Sequence, residues 1–292
     1  MAKLKDEKIN VQDVNEYLEK YSDFSFEIKV LKKLVSLGFQ CEHSGTYEDP
    51  ITKKTREFDI RAWKVDQLDK KTTFRFCLAV ECKNLRENFP LVVHCLPRSE
   101  QESYQHLVWS KHPENFLNLV SSYGRRLRFD EQNTFYCTGA LVGKSCDQVG
   151  RKAGQNNEIT GSDSDVFDKI SQAINSTYDL FRESHYACDE QNTVVSFILP
   201  ILVVPNDRIW IVTYDHDGNV TDGPKISPSI SYYIDKKWQV GGKGNQGIEN
   251  YYISHLEIVQ FDSLEELIDG HQYNDRFSLK NIYKYLMKGI KR

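Results

Sequence analysis

The sequence contains no CxxC pair, no long apolar run and no excess of basic charge, and each absence closes off a class of function. Its seven cysteines (Cys41, Cys77, Cys82, Cys95, Cys137, Cys146 and Cys188) are odd in number and scattered. That pattern excludes a cysteine zinc site and a disulfide framework, and reduced, mostly buried thiols are expected. No stretch approaches the roughly 18 apolar residues of a membrane span, and the opening "MAKLKDEKIN" lacks the apolar segment of a secretory signal. A cytoplasmic protein with no membrane contact is expected. The net charge of −4 offers no global field for nucleic acid, so any polyanion site must be local. Internal repeats and low-complexity tracts are missing as well.

What is present is material for a core. The 292 residues are 39% hydrophobic, 12% aromatic and 27% charged, a globular composition. Residues 11–20 read as a short polar helix. In "FEIKVLKKLVSLGF", Phe26, Val30, Leu31, Leu34, Val35 and Leu37 recur at helical spacing before Gly38, a natural stop. "FQCEHSGTYEDP", "REFDIRAWKV" and "FRFCLAVECKN" then read as three successive strands, the last two joined by a hairpin through "DQLDKKTT". Residues 84–161 carry a mixed signal broken by Pro90, Pro97 and Pro113, and are expected to be an insertion or subdomain. "SDSDVFDKISQAINSTYDLFRE" restores an amphipathic helix, "TVVSFILPILVVP" a central strand, and "DRIWIVTYDHDG", "SISYYIDKKWQV" and "YYISHLEIVQF" further strands. "SLEELIDG" and "SLKNIYKYLMKGI" read as closing helices.

One short stretch, "LAVECKN", sets an acid and a base two residues apart. In a strand such residues share a face, so Glu81 and Lys83 would stand roughly 7 Å apart at their Cα atoms. Half-buried charges are costly unless paired or coordinated, so the spacing asks for a reason. Upstream lie one acid on the first long helix, Glu27, and one on the second strand, Asp59.

A helix, then a three-stranded meander with an isolated Asp, then Glu-x-Lys, resembles the PD-(D/E)XK nuclease superfamily. The resemblance rests on "FEIKVLKKLVSLGF", "TREFDIRA" and "LAVECKN", with the later helix and "FILPILVVP" resembling the second half of an αβββαβ core. Phe58 stands where the motif has proline, and the long gap from Asp59 to Glu81 implies an extended hairpin. The implied fold is a mixed α/β, restriction-endonuclease-like core: a central mixed β-sheet flanked by helices, with an insertion after the third core strand. Residues 1–20 form an N-terminal extension and 21–292 the nuclease domain, the 84–161 insertion included.

The implied activity is metal-dependent hydrolysis of phosphodiester bonds, with DNA as the expected substrate and restriction or antiviral defence as the expected setting. RNA cleavage and a catalytically silent binding or assembly subunit are the alternatives. Two carboxylates converging from adjacent strands suit Mg2+, with Mn2+ as a substitute. Asp59 and Glu81 would be ligands, with the Cys82 backbone carbonyl as a third and Glu27 as a further one. Lys83 would orient or deprotonate the attacking water, and Gln172 would face the site from the later helix. Lys53, Lys54 and Arg56, and Arg125, Arg126 and Arg128 in "SYGRRLRF", are candidate phosphate contacts, with a solvated helix face as the other reading of the latter cluster. A regulatory protein partner or homo-oligomer is expected on grounds of control.

Two glycine-bearing motifs are set aside. "GGKGNQG" precedes a strand-like segment, so its GxGxxG pattern lacks the helix that would receive a pyrophosphate. "TGALVGKS" is one residue short of a phosphate loop. His94, His106 and His112 show no zinc spacing and read as surface or packing residues.

Overall fold

The computed structural model describes residues 6–111, 121–127, 136–152, 158–162, 164–186, 193–240 and 249–273. Helices α1 (Val11–Lys20) and α2 (Asp23–Ser36) come first. Strands β1 (Gln40–His43), β2 (Thr46–Glu48), β3 (Thr55–Glu57), β4 (Ile60–Gln67) and β5 (Thr72–Cys82) follow. Next are β6 (Leu91–Pro97), β7 (Gln105–Lys111), β8 (Ser121–Leu127), β9 (Leu141–Arg151) and β10 (Ile159–Ser162). Helix α3 (Ser164–Tyr186) leads to β11 (Thr193–Val204), β12 (Ile209–Tyr214), β13 (Val220–Ile226), β14 (Ser229–Val240) and β15 (Glu249–Gln260), and α4 (Leu264–Tyr273) closes the described chain.

The fold is mixed α/β, built on one large mixed sheet flanked by few helices. Among the described residues the sheet runs β1-β4-β5-β11-β15-β14-β9-β6-β12-β13, with β7, β8 and β10 attached to its side. β4 and β5 form the expected long hairpin, in register from Ile60 opposite Val80 to Gln67 opposite Thr73. β11 then runs parallel to β5 from Thr193 opposite Thr72 to Val203 opposite Cys82, after a crossover that includes α3. β11 is also parallel to β15 at its far end. Residues 84–161, expected as an insertion, contribute β6 to β10 to this same sheet.

The central strands are apolar because helices cover both faces. Phe76, Leu78 and Val80 of β5 pack with Phe26, Val30 and Leu34 of α2. The odd-numbered Cys77 and Ala79 point the other way, into a core with Val166, Ile170, Ala173 and Ile174 of α3. Glu81 shares that second parity. α2 begins with Ser22 Oγ accepting from the Ser25 amide at 3.1 Å. It ends at Gly38, whose φ of +83° permits the left-handed turn in which the Gly38 amide donates to Val35 O (2.9 Å) and the Phe39 amide to Leu34 O (3.1 Å). α1, by contrast, buries none of its residues.

A second buried polar cluster lies on β15. Glu257, 2% exposed, accepts from Tyr136 Oη (2.9 Å) and Ser231 Oγ (3.0 Å). Burial lifts its carboxyl above the ordinary range, while the two hydroxyls and nearby Arg98 pull the other way. No helix of the described residues is long and apolar enough to cross a membrane.

Candidate active site

Asp59 immediately precedes β4, and its amide, 3.4 Å from Glu81 Oε1, sets it beside that residue of β5. The backbone around Asp59 is held from both sides: the Ser44 amide donates to Asp59 O at 2.9 Å, and the Phe58 amide to Gly45 O at 3.0 Å. Glycine is required at 45, because a Cβ there would come within 2.4 Å of the Phe58 ring. Phe58, at the motif's proline position, is buried and carries the Arg61 guanidinium 4.1 Å from its ring centroid.

Three charged side chains meet at this point. Lys169 Nζ, from α3, donates to Asp59 Oδ1 (2.8 Å) and Oδ2 (2.7 Å) and to Glu81 Oε2 (2.9 Å). The Cys82 amide donates to Asp59 Oδ2 at 2.8 Å, and the Asp59 amide reaches Glu81 Oε1 at 3.4 Å. The side chains are nearly closed off from solvent, with 12% exposure for Asp59, 1% for Glu81 and 19% for Lys169. Burial, with Asp59's charge adding to it, pushes the Glu81 carboxyl up to about 8, against the pull of Lys169. Burial disfavours the Lys169 charge, yet Glu81 and Asp59 outweigh it and raise the ammonium above its ordinary value. The cluster therefore holds its cation firmly and crowds its carboxylates.

Glu27 stands beside this cluster on α2. It is buried, and burial and Asp59 raise its carboxyl while His43 and Lys169 lower it. His43 Nε2, from β1, lies 3.3 Å from Glu27 Oε2. Neither Lys169 nor His43 was anticipated from the sequence. Lys169 falls three residues after Val166 and four before Ala173, on the buried stripe of α3, and a lysine in such a position is the signal that could have found it.

Lys83 is not brought to the carboxylates. β5 ends at Cys82, so the two-residue parity lapses there. The Lys83 amide donates to Val203 O (3.0 Å), its Nζ pairs with Asp23 Oδ2 at 3.5 Å, and the Asn84 amide donates to Asp23 Oδ1 at 2.9 Å. The ammonium at the carboxylates comes from the helix.

Gln172 lies three residues beyond Lys169 and is half-buried, with its backbone carbonyl accepting from Tyr47 Oη at 3.4 Å. Lys53, Lys54 and Arg56 are exposed on the β2–β3 hairpin, Lys53 within 3.8 Å of Glu48. Arg125 and Arg126 lie in β8, a strand and not a helix face, opposite Leu107 and His106. Arg128, His112, the GGKGNQG loop and the last expected helix lie outside the described residues.

Among the described residues, no three His, Cys, Asp or Glu side chains are grouped to hold a metal ion. Comparison with protein-family models, with curated proteins and with solved structures returns no match.

Proposed function

We propose that this chain is a metal-dependent nuclease that hydrolyses phosphodiester bonds, with DNA as the expected substrate, and that its core is restriction-endonuclease-like. The observation that carries the reading is the convergence of Asp59, Glu81 and Lys169 at one end of the central strands. The order α2, β1, β4, β5, α3, β11 supports it, since it sets four strands side by side with helices on opposite faces.

Asp59 and Glu81 offer oxygens of the kind that Mg2+ or Mn2+ takes, at the point now filled by the Lys169 ammonium, which the ion would displace. Two carboxylates from adjacent strands already focus on a single cationic nitrogen at 2.7–2.9 Å, and all their ligand atoms are oxygens. Asp59 and Glu81 would hold the ion, with the Cys82 carbonyl as the expected third ligand, while Glu27, expected as a further one, is not grouped with them closely enough to serve in this arrangement. Bound there, the ion would supply charge neutralisation and a more acidic water. The chain's own part is to exclude bulk water around Glu81, to hold Asp59 by the Cys82 amide, and to present the Lys169 ammonium to phosphate oxygens and the attacking water. In this reading Lys169 takes the role expected of Lys83.

The same ammonium favours a second reading, in which it keeps the carboxylates closed and the fold binds nucleic acid without cutting. Plasmid, linear duplex, single-stranded DNA and RNA, each with Mg2+, Mn2+ or chelator, separate the two. Metal-dependent cleavage, lost by about 10²-fold or more in Asp59→Asn and in Glu81→Gln, is the expected result. Cleavage that persists in chelator, or at the wild-type rate in both variants, would sink the nuclease assignment. Binding without cleavage would establish the silent fold.

A further inference from the structure

Beyond Lys83 the surface opens into a groove. One cavity of about 390 Å3 lies between the α1–α2 turn, the segment after β5, the β9–β10 hairpin and the start of α3. A second, of about 600 Å3, continues past the α1 end toward Arg208. The two share Tyr21, Asn84, Leu85, Arg86 and Asn88, so they adjoin along this segment. Its inner end is next to the candidate site in the chain: Lys83 lines it two residues after Glu81, and Asp165 lines it four residues before Lys169.

We propose that this groove binds a single strand of nucleic acid, one or two nucleotides at a time, and feeds it to the Asp59–Glu81–Lys169 cluster. The inference rests on the nuclease reading for its purpose, and on the groove alone for its geometry. Lys83, Arg86 and Arg151 line the inner cavity with the acids Asp23 and Asp165, and Lys20, Arg86 and Arg208 the outer one with Glu19 and Glu87, so each part carries one more cation than acid. Two of these cations have partners that reach water: Lys83 sits 3.5 Å from Asp23, whose side chain is 42% exposed, and Arg208 pairs with the 87%-exposed side chain of Glu87. A phosphate can compete with such solvated carboxylates for the cation.

Aromatic surface lies between the cations. Tyr21 is 44% exposed, with the Arg86 guanidinium 4.9 Å from its ring centroid, and Phe89 lines the inner cavity. A ring backed by a guanidinium is a platform on which any base stacks, which suits a strand read without sequence preference. The volumes suit a single strand. At about 390 and 600 Å3 they fall within the roughly 300–1,000 Å3 of small-ligand sites, enough for one or two nucleotides each, whereas a double helix would have to lie across the mouth of the groove.

The test is fluorescence anisotropy of the full chain in chelator, with labelled twelve-nucleotide dT and rU strands and a twelve-base-pair duplex. The single strands are expected to bind at least about tenfold more tightly than the duplex, and the dT and rU arms tell which sugar is preferred. Arg86→Ser with Arg151→Ser should weaken single-strand binding about tenfold and reduce the salt slope by about 0.7 for each phosphate no longer neutralised. Tyr21→Ser should weaken binding with the slope unchanged, and Tyr21→Trp should restore it. Melting curves matching the wild type show that the variants are folded. Duplex binding as tight as single-strand binding, no binding of either strand, or folded variants that bind like the wild type would each overturn the groove. Because chelator removes cleavage from the measurement, a protein that fails to cut yet binds less tightly in these variants refutes the nuclease reading alone. One that cuts while the variants bind normally refutes the groove alone.

Discussion

At the scale of single residues, the decisive exchange is between two lysines. Lys169 touches both carboxylates, whereas Lys83 touches Asp23. Lys169→Met should therefore reduce single-turnover cleavage by about 10²-fold or more, while Lys83→Met leaves the chemical step within a few-fold of wild type at saturating substrate. Equal losses in both would return the role to the strand lysine. Without its ammonium, Lys169→Met also leaves Asp59 and Glu81 facing each other, so its melting temperature should fall in chelator and recover with Mg2+. Glu257 offers a separate check by pH. Its carboxyl is raised in the folded chain, so the fold binds that proton more tightly than the unfolded chain does. The stability it contributes is complete below the ordinary carboxylate pKa and is lost as pH rises through the raised value. Denaturant midpoints should decline as pH rises above the ordinary carboxylate range, a decline to which the raised Glu81 and Glu27 also contribute and which Glu257→Gln should make shallower. An unchanged pH profile in that variant would show that the group titrates alike in both states.

At the scale of elements, Arg61 ties α3 to β4. Its guanidinium lies 3.1 Å from Asp179 Oδ2 and 3.1 Å from Glu183 Oε1, and its own side chain is 3% exposed. Arg61→Leu should cost about 1–2 kcal/mol by chemical denaturation, below the 3–5 kcal/mol of a fully buried pair because both acids keep access to water. A variant as stable as wild type would show that packing alone seats the helix. Much of this element layer was legible in the sequence. The apolar stripe of α2, the β4–β5 hairpin and the amphipathic α3 each carry a clean period, and the order of Glu27, Asp59 and Glu81 located the acidic half of the cluster. Lys169 escaped because a lone lysine on an amphipathic helix reads as solvent-facing unless it is measured against the apolar stripe. The strands within 84–161 escaped because the period-two burial of β6 is not written in its residue types: apolar Val92 and Leu96 stand at half-buried positions between buried Leu91, Val93 and Cys95. Lys83 would share the face of Glu81 only in a strand one residue longer than β5, which ends at Cys82.

At the scale of the whole molecule, the sheet is unevenly protected. Every residue of β5 from Phe76 to Cys82 is buried, as is every residue of β11 after Thr193, while α1 has no buried residue. Hydrogen exchange should therefore be slowest in β5 and β11 and fastest in α1, and early exchange in β11 would contradict the layering. The crossover between those two strands bears on the life history of the protein. Asp59 and Lys169 lie 110 residues apart in the chain and 2.7 Å apart in space. A ribosome that has released only the first hairpin has made both acids and no counter-charge, so the nascent segment has no finished centre to act with. Under the proposed nuclease reading, competence should arrive in one step, when α3 settles on the sheet, and in a refolding experiment the return of cleavage should trail the burial of β5 and coincide with the docking of that helix.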